Sequence, residues 1–138
     1  LVEDWGCGKG WLTTLVERSR YRGIDGSQSP FADVIADLRT YRSAAPGIFM
    51  RHVLEHNWDW AQIPDNAIQS FTERMALIVF TPFGEETKDI AVSPSIPVPD
   101  LSFRLGDLTE RFADARWTSE TIATATQYGI ETIFRLER

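Results

Sequence analysis

An α/β fold is predicted, with a mostly parallel sheet and an antiparallel hairpin at its C-terminal edge. Three observations predict it. Short apolar runs suited to buried strands alternate with segments whose apolar residues recur at helical spacing. The first run, Leu1–Trp5, breaks into a glycine-rich turn, Gly6–Gly10, as a strand-to-helix junction of a parallel sheet does. The chain closes on two strand-like segments around Gln127-Tyr128-Gly129, the mark of a hairpin.

Each element follows from its residues. Leu1–Trp5 reads as a buried strand that ends at glycines. Gly10–Arg20 reads as a helix, because Trp11, Leu12, Leu15 and Val16 fall on one face. Tyr21–Asp25 is a second strand, stopped by Gly26, and Ser27–Phe31 is a loop. Val34–Asp37 is the third strand and Gly47–Met50 the fourth, the latter preceded by the turn signal Ala45-Pro46-Gly47. Trp60–Glu73 reads as a helix with Ile63, Ala67, Ile68 and Phe71 on a shared face and Pro64 in its first turn. Ala76–Phe80 is the most apolar run and is placed centrally in the sheet, ended by Pro82 and Gly84. Glu85–Pro99, with Pro94, Pro97 and Pro99, is read as a loop over the active edge. Leu105–Phe112 is a short helix, and Arg116–Thr126 with Ile130–Leu136 forms the hairpin.

The 138 residues suffice for a single domain, 1–138, with one hydrophobic core. Hydrophobic residues at 43% and charged residues at 25% are the balance of a soluble globular domain, and no run reaches the roughly 18 apolar residues of a membrane span. Leu1–Trp5 already reads as a strand, so no leader is expected and a cytoplasmic location is the default. One cysteine, Cys7, excludes an internal disulfide framework. The net charge of −6 disfavours nucleic acid as a partner, since nucleic-acid binders carry a basic stripe. The cluster Arg18, Arg20 and Arg22 suits a solvated helix end, where cations complement the dipole.

The strongest signal is Asp4-Trp5-Gly6-Cys7-Gly8-Lys9-Gly10. Glycine tolerates positive φ and lets backbone approach a ligand closely. The spacing decides which ligand. A dinucleotide fingerprint needs glycine where Trp11 stands, and a Walker loop needs Ser or Thr where Gly10 follows Lys9. Neither phosphate pattern fits. An acid two residues before G-x-G-x-G does fit a family: Asp4-x-Gly6-x-Gly8-x-Gly10 resembles motif I of the class I S-adenosylmethionine-dependent methyltransferases. Gly23-Ile24-Asp25-Gly26-Ser27 looks like that family's second strand, whose acid binds the ribose hydroxyls, and Ala36-Asp37-Leu38 like its third-strand acid near the adenine amine. His52-Val53-Leu54-Glu55-His56 resembles a segment common after the fourth strand in small-molecule and sugar methyltransferases.

The resemblance implies a Rossmann-like methyltransferase sandwich with a seven-stranded sheet, and S-adenosylmethionine as cofactor. It implies cofactor contacts from Asp4, Gly6, Cys7, Gly8, Gly10, Asp25, Gly26, Asp37 and Leu38. A carboxylate at a strand's C-terminal edge accepts two hydrogen bonds from a diol, and the switch point of an open α/β sheet is where such a ligand sits. Arg51 and His52 stand just past the fourth strand and are the catalytic candidates, His52 as a base for a hydroxyl or amine. The expected acceptor is a small molecule, a sugar or glycan first. Only eleven residues separate Asp25 from Asp37, so the second crossover helix is expected to be nearly absent. The family's members carry an N-terminal segment over the substrate side. This sequence begins at the first strand, so either it is truncated or that side is unusually open, and self-association as a homodimer, a large acceptor or a missing segment is expected to supply the cover.

Two other readings compete. His52-x-x-Glu55-His56 matches the inverted zincin pattern, which binds zinc through histidines at i and i+4 of a helix, but it leaves the glycine loop and Asp25 unexplained, so no metal is expected. A module that binds the cofactor or a partner without transferring a group is the other. Trp58 and Trp60 suit edge or core packing better than an acceptor pocket.

Overall fold

Buried and open residues alternate along the central strands, and this alternation fixes which face of the sheet is the core. The computed structural model describes residues 1–92 and 97–138. Its strands are β1 (Val2–Trp5), β2 (Tyr21–Asp25), β3 (Val34–Ile35), β4 (Ala45–Arg51), β5 (Phe71–Val79), β6 (Lys88–Val92), β7 (Pro99–Ser102), β8 (Arg116–Ala123) and β9 (Ile130–Glu137). In β4, Ile48 and Met50 are buried; in β5, Met75, Leu77 and Val79; in β9, Phe134 and Leu136. The period is two in each, so all seven side chains lie on one face. Helix α1 (Gln62–Ser70) packs Ile63, Ala67 and Ile68 there, and α2 (Leu105–Thr109) with the turn after it adds Leu108 and Phe112. Phe112 meets Phe134 and Trp117 edge to face, and Trp60 meets Phe103.

The seven-stranded sheet runs β3-β2-β1-β4-β5-β9-β8, and β6 with β7 forms a separate two-stranded ribbon. Pairing is parallel from β3 through β5, and β9 runs antiparallel to both β5 and β8. The chain order reverses between β1 and β4. The carboxyl ends of the parallel strands therefore share one edge, with Gly6, Asp25, His52 and Phe80 along it. Among the described residues no helix is long and apolar enough to cross a membrane.

Several elements depart from the sequence expectation. The helix expected over Gly10–Arg20 is two short 3-10 turns, Trp11–Thr14 and Arg18–Arg20. Thr13 Oγ1 donates to the Gly10 carbonyl at 2.6 Å and Thr14 Oγ1 to that of Trp11 at 2.8 Å. Such back-bonding competes with the helical ladder, and the intended apolar face is left open at Trp11 and Leu15. The third strand shrinks from Val34–Asp37 to two residues, because Asp37 turns out of the sheet to bond the Arg39 amide at 2.9 Å. Ala45-Pro46-Gly47 is not a turn: β4 starts at Ala45, and a register shift between Ala45 and Gly47 accommodates Pro46 in the strand. Helix α1 ends at Ser70, so Phe71–Glu73 opens β5, and Pro64 stands third in the helix, where no intrahelical donor is lost. The predicted loop over 85–99 contains β6 and the first residue of β7. Pro94 lies outside the described residues.

Candidate active site

The glycine loop leaves β1 with Gly6, Gly8 and Gly10 all at positive φ. A Cβ on Gly6 would lie 2.4 Å from Val53 Cγ2, and one on Gly10 2.2 Å from the Phe31 ring, so these two glycines permit packing within the protein. Gly10 packs against Phe31 and is not among the residues that line the cavity described below. At Gly8 a Cβ would meet nothing nearer than 3.8 Å; its open side faces a cavity. The Gly8 amide donates to Asp25 Oδ2 at 2.8 Å, while Asp25 Oδ1 accepts the Ser27 amide and hydroxyl, both at 2.9 Å. Asp25 thus ties the loop to the end of β2. A carboxylate offers about four acceptor positions, so about one is free for a ligand hydroxyl, and rotation of the Ser27 hydroxyl releases a second.

Asp4, beneath the loop, is buried and accepts the Tyr21 hydroxyl at 3.2 Å. Burial raises its carboxyl to about 6, with the Tyr21 bond opposing and the charge of Asp25 adding. Cys7 is buried beside Leu12 and Tyr21, and burial pushes its thiol up as well. Gly26 and Leu38 line the cavity. Asp37 is held by Arg39, with Nε at 3.0 Å from Oδ1 and a terminal nitrogen at 2.7 Å from Oδ2, which keeps its carboxyl below the usual range. A ligand amine would have to share Asp37 with that guanidinium.

Beyond β4 the backbone strains. His52 has φ 57°, a conformation non-glycine residues seldom adopt and one that clusters at functional sites. Its Nε2 donates to Glu131 Oε1 at 2.5 Å, and Arg51 pairs with the same oxygen at 2.8 Å. Burial lowers the imidazole's proton affinity, Arg51 lowers it further, and Glu131 opposes both. Nε2 is occupied, so Nδ1 is the nitrogen left for a ligand. Arg51 also lies over the Trp11 ring at 4.7 Å, so its guanidinium bridges the glycine-loop turn and β9.

His52, His56 and Tyr128 surround the Phe80 ring with centroids at 4.7, 5.5 and 5.7 Å. His56 Nδ1 donates to the Pro99 carbonyl at 3.0 Å and lies 3.4 Å from Asp100 Oδ1. Glu55 is fully buried and accepts the Phe80 amide at 2.6 Å, and burial raises its carboxyl to about 8. These contacts overturn the zincin reading. Only Leu54–His56 is helical, as one 3-10 turn, so His52 and His56 do not share an α-helix face, and Glu55 points into the core. Among the described residues no three His, Cys, Asp or Glu side chains are grouped as a metal requires. Trp60 is core and Trp58 is exposed, and neither lines the cavity.

The cavity has a volume of about 1270 Å³. Pockets for one drug-sized ligand run roughly 300–1,000 Å³, so there is room for two small molecules side by side. The cavity's lining runs from the loop, Asp4, Asp25 and Asp37 on the side of β1 and β2 to His52, Phe80 and Asp100 past the ends of β4 and β5, with Phe49 packed against Trp11. Glu131, Asp100, Phe80 and Tyr128 had no site role in the reading of the sequence. The one available signal was weak: Glu131 and Thr132 interrupt the apolar pattern of a strand otherwise rich in Ile and Phe.

Comparison with known proteins follows this geometry. The chain matches no protein-family model and no curated protein by sequence. Among solved structures it is similar to magnesium protoporphyrin IX methyltransferase (ChlM) from Synechocystis PCC 6803 with bound SAM. The TM-score is 0.71 at 16% identity, over 100% of this chain and 69% of that one. It is similar also to 1,6-didemethyltoxoflavin-N1-methyltransferase of Burkholderia thailandensis, with TM-score 0.73 at 14% identity, over 99% and 70%. The cyclase SpnF matches with TM-score 0.67 at 13% identity, over 99% and 74%. The chain therefore has the Rossmann-like fold of the class I methyltransferases, a mostly parallel seven-stranded sheet closed by an antiparallel hairpin. A cyclase shares the fold, so the chemistry has to be argued from the site.

Proposed function

We infer that this protein transfers a methyl group from S-adenosylmethionine to a small-molecule acceptor. The observation that carries the reading is Gly8. It stands at positive φ with open space on its cavity side, and its amide is fixed to Asp25 at the mouth of a cavity roomy enough for two ligands. The residues fit the cofactor. The loop Gly6–Gly8 would hold the methionine end, with Asp4 receiving its ammonium. Asp25 would hold the ribose, and Asp37 with Leu38 the adenine. When bound, the cofactor supplies a methyl carbon made electrophilic by a sulfonium charge.

The chain's own residues do the rest. His52 Nδ1 takes the proton of an acceptor hydroxyl or amine. Glu131 keeps the imidazole oriented through Nε2 and stabilises the imidazolium that forms. Arg51 acts through Glu131 as a positioning residue. A sugar or glycan is the first candidate acceptor, because Phe80, Asn57 and Asp100 combine a ring surface with polar groups for hydroxyls. The reading includes a cytoplasmic location and a homodimer. Calorimetry with S-adenosylmethionine and S-adenosylhomocysteine tests the central claim without the acceptor. Binding of both at one site per chain is the expected outcome, and no binding of either defeats it.

A further inference from the structure

The acceptor half of the cavity contains a carboxylate of unusual standing. Asp100, the second residue of β7, is buried yet lines the cavity. Its Oδ2 accepts the Tyr128 hydroxyl at 2.9 Å, and its Oδ1 faces His56 Nδ1 at 3.4 Å. That nitrogen already donates to the Pro99 carbonyl at 3.0 Å. About two of the carboxylate's four acceptor positions are therefore free.

The other acids around the cavity are answered from within the protein, save Asp4, which accepts the Tyr21 hydroxyl and is assigned above to the cofactor's ammonium. Glu131 is paired with Arg51, Asp37 with Arg39, and Asp25 with backbone amides. Glu55, behind Phe80, is fully buried and keeps its proton up to about pH 8. Among the described residues no Arg or Lys is paired with Asp100. Tyr128 is neutral, its hydroxyl pushed up to about 12 by burial and by its bond to Asp100. A carboxylate on a cavity wall with acceptor positions free and no Arg or Lys beside it suits a cationic or N–H-bearing ligand. Phe80 lines the same half of the cavity, and its ring belongs to an aromatic cluster with His52, His56 and Tyr128.

We propose that Asp100 is the acceptor-recognition residue and that the acceptor is a ring-bearing amine, its ammonium or N–H group paired with Asp100 and its ring against Phe80. The proposal rests on the methyl-transfer reading above. Acceptors carrying a carboxylate or phosphate at that position are excluded by like charge at close quarters. Whether the ring is a sugar or an aromatic is left to the arms of the test, since both offer the same chemistry to Asp100.

The test is calorimetry on the full chain saturated with S-adenosylhomocysteine, using two pairs of probes matched in ring and opposite in charge. Tyramine and 4-hydroxyphenylacetate form the aromatic pair, glucosamine and glucuronate the sugar pair. In at least one pair the amine is expected to bind about tenfold tighter or more, the scale of one charge-assisted hydrogen bond. Asp100→Asn, which keeps the shape and one acceptor oxygen but removes the charge, should erase that preference and leave S-adenosylhomocysteine affinity unchanged. Tyr128→Phe frees the carboxylate without touching it and should keep or strengthen the preference, which guards against a misfolded Asp100→Asn. An acid bound as tightly as its amine, no amine bound in either pair, or a preference that persists in Asp100→Asn overturns the proposal. Loss of S-adenosylhomocysteine binding in the unaltered protein would instead strike the methyl-transfer reading beneath it.

Discussion

Gly6, Gly8 and Gly10 share a motif but not a reason for being glycine. A side chain at Gly6 or Gly10 collides with Val53 or Phe31, whereas one at Gly8 enters open space. Gly6→Ala and Gly10→Ala should therefore lower the unfolding temperature. Gly8→Val should lower it less, by strain at φ 47° alone, while abolishing the stabilisation that S-adenosylhomocysteine gives. Thermal unfolding with and without that ligand separates the two cases, and a Gly8→Val protein that is still stabilised would sink the loop's assignment. His52 carries the second expectation at this scale. Burial and Arg51 lower its proton affinity and Glu131 partly restores it, so it stays neutral through neutral pH and protonates below the ordinary value of 6.5. In Glu131→Gln the restoring carboxylate is gone, and the midpoint should move lower still. The chain has only two histidines, so their ring protons can be followed separately by NMR. An unmoved His52 midpoint in Glu131→Gln would dissolve the pair. Under the proposed chemistry, His52→Ala should lower turnover by about 10²–10⁴-fold and leave cofactor affinity intact.

At the scale of elements, the segment Leu54–His56 serves the architecture. Its turn inserts Glu55 under the end of β5, where one oxygen accepts the Phe80 amide and the other has no partner among the described residues. The carboxyl is held protonated in the fold, at about 8 against the ordinary 4.5. A folded-state value raised this way contributes stability that is complete below pH about 4.5 and is lost as pH rises through about 8. Glu55→Gln is neutral at every pH and keeps the amide's acceptor. It should match the parent near pH 4 and exceed it by about 3 kcal/mol at pH 7, read from denaturant unfolding. A difference independent of pH would place Glu55 outside this account. The same scale explains what was legible in the sequence. β1, β2 and the hairpin were readable because Gly6, Gly26 and Gly129 mark their ends and their apolar residues repeat locally. The Gly10–Arg20 helix was misread because helical spacing does not reveal the Thr13 and Thr14 hydroxyls bonding back to the chain. Glycine loop and Asp25 were readable as a spaced motif. Glu131 was not, because it lies 79 residues from His52. Only the register of β4 on β5 and β5 on β9 brings it there: Arg51 pairs with Ile78 and Ile78 with Ile133.

The whole molecule is lopsided, and the lopsidedness predicts where it opens. The large core lies beneath α1 and α2 and, among the described residues, takes ten of its 22 buried side chains from β4, β5, β7 and β9. The half built from β1, β2 and β3 contributes Trp5, Ile24 and Leu38 to that core and is backed on its other face by a small cluster, Cys7, Leu12 and Tyr21. Its crossovers are 3-10 turns and loops, and β3 is two residues long. Few buried apolar contacts mean a low free energy of local opening, so amides of β2 and β3 should exchange through a partial opening while those of β5 and β9 wait for global unfolding. The cofactor half of the cavity belongs to the weak side, through the Gly8–Asp25 bond and Leu38. A ligand that binds only the closed form at about a hundred times its dissociation constant adds about 2.7 kcal/mol to every opening that breaks its site. Saturation with S-adenosylhomocysteine should therefore raise protection most, in proportion, at Arg22–Ser27 and Val34–Leu38, narrowing the gap between the two halves. Hydrogen exchange with and without the ligand reads this directly. Protection confined to β5 and β9 would mean that the ligand sits elsewhere. Equal exchange of both halves in the free protein would mean that the large core already holds the thin side shut.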